Sequence, residues 1–127
     1  MKAMISQPMG GKTQEEIVTT REKAVAALEE QGYEVVNTLF AGGWYSDESM
    51  EERGVVQIPL CFLAKSLEKM SLCHTVYFCH GWEKARGCRT EHEAACAYGL
   101  TVIYEDGCNV LDTPRRGVAD EEGRDAV

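Results

Sequence analysis

Five successive residues, Thr75-Val76-Tyr77-Phe78-Cys79, constrain the fold more than any other stretch of the chain. None of them is charged and all suit a pleated strand, so neither face of that strand is built to meet water. A strand covered on both faces belongs to a parallel sheet between helical layers, and parallel neighbours need long crossover connections. The rest of the sequence supplies them. Residues 2–5 form a short apolar run that stops at Gln7-Pro8-Met9-Gly10-Gly11, a strand leading into a tight loop. Thr13-Gln14-Glu15-Glu16 has the form of a capping box, and Ile17, Ala24, Val25 and Leu28 follow at helical spacing until Gly32. Residues 33–37 read as a second strand and 38–52 as irregular chain. Pro59 sits in the first turn of a helix whose stripe Leu60, Leu63, Leu67 and Met70 reads as core or a subunit face. A loop over 80–87, a helix over about 88–98 ending at Gly99, and a last strand over 100–104 complete the alternation.

This order predicts one α/β domain over 1–105 with a small, mostly parallel sheet and helices on both faces. Residues 106–127 are polar, with acidic clusters and no periodicity, and read as a tail that is flexible or packed on a neighbouring subunit. At 127 residues the chain has the size of one domain and needs no staple to fold. Its 13 Lys and Arg against 21 Asp and Glu give a net charge of −8, which argues against nucleic acid or an anionic membrane as partner. A small anionic ligand stays open, because it feels local charge. No stretch approaches the ~18 apolar residues of a membrane span, and Met1-Lys2-Ala3-Met4-Ile5-Ser6-Gln7-Pro8 is too short and polar for a secretory signal. The six cysteines sit among apolar or helical residues, so they are expected to be reduced thiols of a cytoplasmic protein.

In open parallel sheets ligands bind beyond the carboxyl ends of the strands, and two loops fall there. The first, Ser6-Gln7-Pro8-Met9-Gly10-Gly11-Lys12-Thr13, leads a strand into a helix whose N-terminus favours anions. Gly11-Lys12-Thr13 imitates the end of a P-loop, but Ser6 stands where its first glycine belongs and Pro8 removes an amide donor. The loop reads as a ligand loop of another kind or as an inert turn. The second segment runs from Gly81 through Trp82, Arg86, Gly87 and Arg89 to Glu91, Ala95 and Gly99. Glu91, Ala95 and Gly99 recur at four-residue steps, small residues that let a helix lie close to the sheet with Glu91 toward the strand ends. The helix dipole favours an ionised carboxylate in the first turns, and an ionised, positioned carboxylate can attack an anomeric carbon. Spacing alone favours a glutamate that only serves the dipole.

Other side chains carry paired readings too. Arg86 and Arg89 suit a phosphate, or they pair with Glu83 and Glu93. Trp82 and Trp44 stack on a base or simply pack, and His80 is an acid for a leaving base or a structural histidine. Cys88, His92 and Cys96 share a helix face, and two of them could hold zinc with Cys73 or Cys79, but no Cys-x-x-Cys knuckle exists and they read better as core.

The pattern Gly-x-x-x-Glu-x-x-x-Ala-x-x-x-Gly at Gly87, Glu91, Ala95 and Gly99, after a strand and loop, resembles the nucleoside 2-deoxyribosyltransferases and the related 2′-deoxynucleoside 5′-monophosphate N-glycosidases. Gly81-Trp82-Glu83-Lys84-Ala85-Arg86-Gly87-Cys88, Ile5-Ser6-Gln7-Pro8-Met9-Gly10-Gly11 and Gly32-Tyr33-Glu34-Val35 are similar to an uncharacterised bacterial and phage branch of that superfamily. The resemblance covers roughly residues 2–105. It implies a Rossmann-like or flavodoxin-like sheet with a pocket at its carboxyl edge, Glu91 as nucleophile, and a glycosyl–enzyme ester resolved with retention. It places Ser6, Gln7, Met9, Gly10 and Gly11 against the sugar or phosphate and implies a homo-oligomer. Two positions depart from the family pattern. Ser66 stands where a second carboxylate is usual, and His74 where an Asp precedes the central strand.

The expected function is therefore cleavage or transfer at the N-glycosidic bond of a nucleoside or nucleoside monophosphate, without a cofactor or a metal. Glu91 is the expected nucleophile, and the binding residues are Ser6, Gln7, Met9, Gly10, Gly11, Ser66, His80, Trp82, Arg86, Gly87 and Arg89. The competing expectation, favoured by Ser66, is a protein of the same fold that senses or sequesters a nucleotide without chemistry. A third is an interaction module that works through its acidic tail.

Overall fold

The structure, a computed structural model, describes residues 1–37 and 43–107. Strand β1 (Lys2–Ser6) leads to helix α1 (Gln14–Glu30) and the short strand β2 (Glu34–Val35). A 3-10 turn (Gly43–Tyr45) and helices α2 (Asp47–Glu52) and α3 (Ile58–Met70) come before strand β3 (Thr75–Phe78). A second 3-10 turn (Trp82–Lys84), helix α4 (Arg86–Ala97) and strand β4 (Thr101–Tyr104) follow. The four strands form one parallel sheet in the order β2-β1-β3-β4. β1 and β3 pair from Ala3 with Thr75 to Ser6 with Phe78, and β3 and β4 from Thr75 with Thr101 to Phe78 with Tyr104.

Helices cover both faces, as the unbroken run of β3 requires. Met4, Val76, Phe78, Val102 and Tyr104 pack beneath α3 and α4 against Met70, Ala95 and Cys96. Ala3, Ile5, Tyr77 and Cys79 face the other way, against Ala24 and Leu28 of α1. Phe78 and Val76 have no exposed surface, and burying a side chain like Phe78 contributes roughly 2–3 kcal/mol.

Local signals set the ends of the elements. The Thr13 hydroxyl accepts from the Glu16 amide and the Glu16 carboxylate accepts from the Thr13 amide, closing the capping box at 3.1 and 2.9 Å. α1 stops where the Gly32 and Tyr33 amides turn back to Glu29 and Leu28. Pro59 lies in the first turn of α3, where its missing amide costs nothing.

Three boundaries differ from the sequence reading. Of the stretch 38–52, read as irregular, 38–42 lie outside the described residues, and the rest holds a 3-10 turn and α2. Ser46 caps α2 by accepting from the Ser49 amide, and Met50 alone anchors it in the core, so no apolar period announces it. β2 spans two residues instead of 33–37, at the sheet edge, where one neighbour supports it. α4 begins at Arg86 instead of Cys88, inside the segment read as loop, on an N-cap (Ala85) that has no side chain to announce it. Among the described residues no helix is long and apolar enough to cross a membrane, and Cys61, Cys73, Cys79, Cys88 and Cys96 are free thiols. The tail from 108 onward lies outside the described residues, whereas Asp106, assigned to it from sequence, pairs with His80.

Candidate functional site

β1 sends its chain to α1 and β2 on one side, while β3 and β4 lie on the other. Connections leave the carboxyl ends of β1 and β3 in opposite directions, and a crevice opens between them. Gly81 adopts φ +87, and the ring of Pro8 lies 3.9 Å from where a Cβ on Gly81 would stand. This backbone conformation favours glycine, so the turn after β3 can pass beside the first loop. The resulting cleft is about 560 Å³ and open to solvent. Gln7, Pro8, Met9 and Gly10 of the first loop form one wall, Pro59, Phe62, Leu63 and Ser66 of α3 another. Lys84, Arg86, Gly87, Cys88 and Glu91 at the start of α4 form the third.

Glu91 is 8% exposed. The Ser6 hydroxyl, at the end of β1, donates to its Oε1 at 2.5 Å, and Ser66 on α3 lines the same cleft with its hydroxyl near enough to act on the carboxyl. Burial pushes the Glu91 carboxyl above the ordinary carboxylate range, and the two serine hydroxyls offset part of that rise. Here the sequence reading needs correction. It counted on the helix dipole to favour an ionised Glu91, but Glu91 lies in the second turn of α4, where that influence fades, and burial acts in the opposite direction. Cys88, one turn earlier, is 5% exposed, and burial pushes its thiol up, with the Ser6 hydroxyl acting the other way.

At the rim the cleft is electropositive. Lys84 and Arg86 line it, and neither forms an ion pair among the described residues. No side chain caps α4, so the amides of its first turn keep their donors. Gln7 is 9% exposed, and its amide nitrogen donates to the Ile17 carbonyl at 2.7 Å. Its Oε1 is buried without a partner among the described residues, an open acceptor.

Ser6, Gln7, Met9, Gly10, Ser66, Arg86, Gly87 and Glu91, all expected from sequence, thus meet in one place. Four expected residues do not. Gly11 lies in the turn beyond the cleft wall. His80 is exposed, with its amide bonded to Glu105 and its ring to Asp106 at 3.1 Å. Trp82 stacks on His92 at 4.1 Å and packs on Phe78 and Tyr104, so it belongs to the aromatic core. Arg89 donates to the Glu83 carbonyl at 3.1 Å, away from the cleft lining. Trp44, the other aromatic considered for stacking, is 62% exposed beneath the Arg53 guanidinium at 3.9 Å. His74 accepts from the Lys2 amide at the opposite, amino end of the strands.

Sequence reasoning missed Pro59, Phe62 and Leu63. The stripe expected to be core or a subunit face splits instead: Leu67 and Met70 join the core, Leu63 lines the cleft and Leu60 is 61% exposed. The usable signal was the face Pro59, Phe62, Leu63 and Ser66, an apolar stripe interrupted by one hydroxyl at the height of Glu91. Of the zinc reading's residues, Cys88 lines the cleft while His92 bonds the Tyr104 hydroxyl at 2.5 Å beside Cys96. Among the described residues no group of three or more His, Cys, Asp or Glu could hold a metal ion.

Residues 1–104 match the model of a family described as Domain of unknown function (DUF4406). No curated protein and no solved structure matches the chain.

Proposed function

The chain belongs to the DUF4406 family, a domain of unknown function, and from that premise we propose that it cleaves or transfers at the N-glycosidic bond of a nucleoside monophosphate, with Glu91 as nucleophile. The observation that carries this reading is a single buried carboxylate, held by Ser6, lining a cleft whose other charged side chains are Lys84 and Arg86. The protein as a whole has net charge −8, yet this rim is cationic, which favours a substrate with a phosphate over a bare nucleoside. The phosphate would meet Arg86, Lys84 and the uncapped amides of α4. A sugar hydroxyl would supply the donor that Gln7 Oε1 lacks, and Phe62, Leu63 and Pro59 offer an apolar wall to the base.

In the reaction, a Glu91 carboxylate oxygen bonds to the anomeric carbon as the bond from that carbon to the base nitrogen breaks. The bond's electron pair leaves with the base, which takes a proton from water. Water, or an acceptor base, then attacks the anomeric carbon of the glycosyl ester, loses a proton and frees the carboxylate. Two displacements return the original configuration. Every participant is the substrate, water, the acceptor base or this chain, and the free thiols fit a cytoplasmic protein.

A second reading is a nucleotide binder without chemistry. It is favoured by the burial of Glu91, since desolvation works against the ionised form that a nucleophile needs. One experiment separates the two. Nucleosides, deoxynucleosides and their monophosphates are incubated with the protein, with and without free base, beside Glu91→Ala, and followed by mass spectrometry. The glycosidase reading expects base release or exchange that the variant abolishes. Tight binding of a monophosphate with no release selects the binder, and release undiminished in Glu91→Ala removes Glu91 from the chemistry.

A further inference from the structure

We infer that Ser6 and Ser66 are the positioning residues of this site: two uncharged hydroxyls, one from β1 and one from α3, hold the Glu91 carboxyl of α4 at the wall of the cleft. The inference deepens the proposed chemistry and rests on that reading only for its kinetic consequences. A glutamate side chain has three rotatable bonds and can swing freely on an open helix face. Here three elements converge on it. Ser6 is 1% exposed at the end of β1 and donates to Oε1 at 2.5 Å, while Ser66 approaches from the cleft wall. With Oε1 taken by Ser6, the carboxyl has one oxygen bound to the sheet, and its orientation follows the backbone of β1.

The choice of hydroxyls has a definite electrostatic result. A second acid at either position would be a like charge beside a buried carboxylate and would drive a proton onto it. A hydroxyl donates a hydrogen bond without bringing charge, so it offsets desolvation and adds no repulsion. The other titratable or charged groups around Glu91 are Cys88 on its own helix and Lys84 and Arg86 on the rim. Lys65, next to Ser66 on α3, holds its ammonium 5.2 and 5.5 Å from the ring centres of Tyr45 and Phe62. None of these has an influence on Glu91 comparable to burial and the two serines.

The test is a carbon-detected NMR titration of the Glu91 carboxyl, assigned with Glu91→Gln, in the wild type, Ser66→Ala, Ser6→Ala and Ser66→Thr. Removing either hydroxyl is expected to raise the Glu91 midpoint by roughly one pH unit, and threonine at 66 to restore it. With turnover in hand, the acid limb of kcat/KM should move by the same amount, and Ser66→Ala should lower kcat far more than it changes KM. Ser6 is buried and its alanine variant can fail to fold, so the half-buried Ser66 carries the decision. A folded Ser66→Ala whose Glu91 midpoint stays within about 0.2 units of the wild type overturns the inference. Midpoints that shift as expected in a protein that turns over no substrate leave the clamp standing and remove the proposed reaction instead.

Discussion

Ser6 and Glu91 lie 85 residues apart, yet the serine hydroxyl donates to the carboxylate at 2.5 Å across the carboxyl edge of the sheet. The bond exists only once β1 has paired with β3 and α4 has packed over both, so it belongs to the tertiary fold and not to either local segment. It also ties the proposed nucleophile to the most buried part of the molecule, and this has a cost in stability.

Burial raises the Glu91 carboxyl, so the folded chain holds that proton more tightly than the unfolded chain does. The sign follows directly. Stability from this group is fully present below the ordinary carboxyl value of 4.5 and is lost as pH rises through the higher folded value. Glu91→Gln keeps an oxygen to accept from Ser6 and escapes the penalty. It should therefore melt at or above the wild type at pH 7, with the gap closing toward pH 4.5. Thermal melts across that range check this, and a variant that is less stable than the wild type at pH 7 and whose deficit shrinks in acid would contradict a raised Glu91 carboxyl.

The cationic rim gives a second expectation. Arg86 and Lys84 line the cleft without ion-pair partners among the described residues. Arg86→Ala should weaken binding of a nucleoside monophosphate by roughly 10- to 150-fold, the value of one charge-assisted hydrogen bond of about 1.5–3 kcal/mol. The corresponding nucleoside should bind both proteins alike. Calorimetry on the pair of ligands decides it, because an equal loss for both would place Arg86 in the fold and not at a phosphate.

Much of this was legible in the sequence, for reasons that can be stated. The unbroken apolar run at β3 admits few arrangements, and Thr13 with Glu16 marks a helix start by chemistry that is local. Glu91, Arg86 and Gly87 were findable because the loops beyond β1 and β3 must meet at the edge of such a sheet. What stayed hidden depends on packing between distant segments. Ser66 looked like a missing acid, and only the packing of α3 beside α4 brings it to Glu91 across the cleft. Trp82 looked like a stacking platform because a loop aromatic next to glycine is usually near a surface. The 3-10 turn rotates it onto His92 instead.

That correction makes its own prediction. Trp82 is sandwiched among His92, Phe78 and Tyr104, and Trp82→Ala should cost about 3 kcal/mol of stability. His80, exposed and bonded to Asp106, should tolerate alanine within about 0.5 kcal/mol. Neither substitution should change ligand affinity in the folded protein. Denaturant melts and a binding isotherm suffice, and a large loss of affinity in stable His80→Ala would return that histidine to the site.

The thiols provide a last check on the whole arrangement, because alkylation reads burial and proton affinity together. Cys79 is 1% exposed at the end of β3, and burial, with the Glu105 charge nearby, pushes its thiol up to about 12. Thiolate is the reactive species, so at pH 8 Cys79 offers almost none of it and little surface through which to react. Cys61 is half-buried on α3 and should be modified before the buried thiols Cys79 and Cys88. Cys88 is 5% exposed but lines the cleft, so it should label slowly, and more slowly still with a bound ligand. Iodoacetamide labelling mapped by peptide mass spectrometry gives the order Cys61, Cys88, Cys79, with Cys79 reached only on unfolding. Native Cys79 modified as fast as Cys61 would mean that the carboxyl end of β3 is open, and with it the floor on which Ser6 and Glu91 meet.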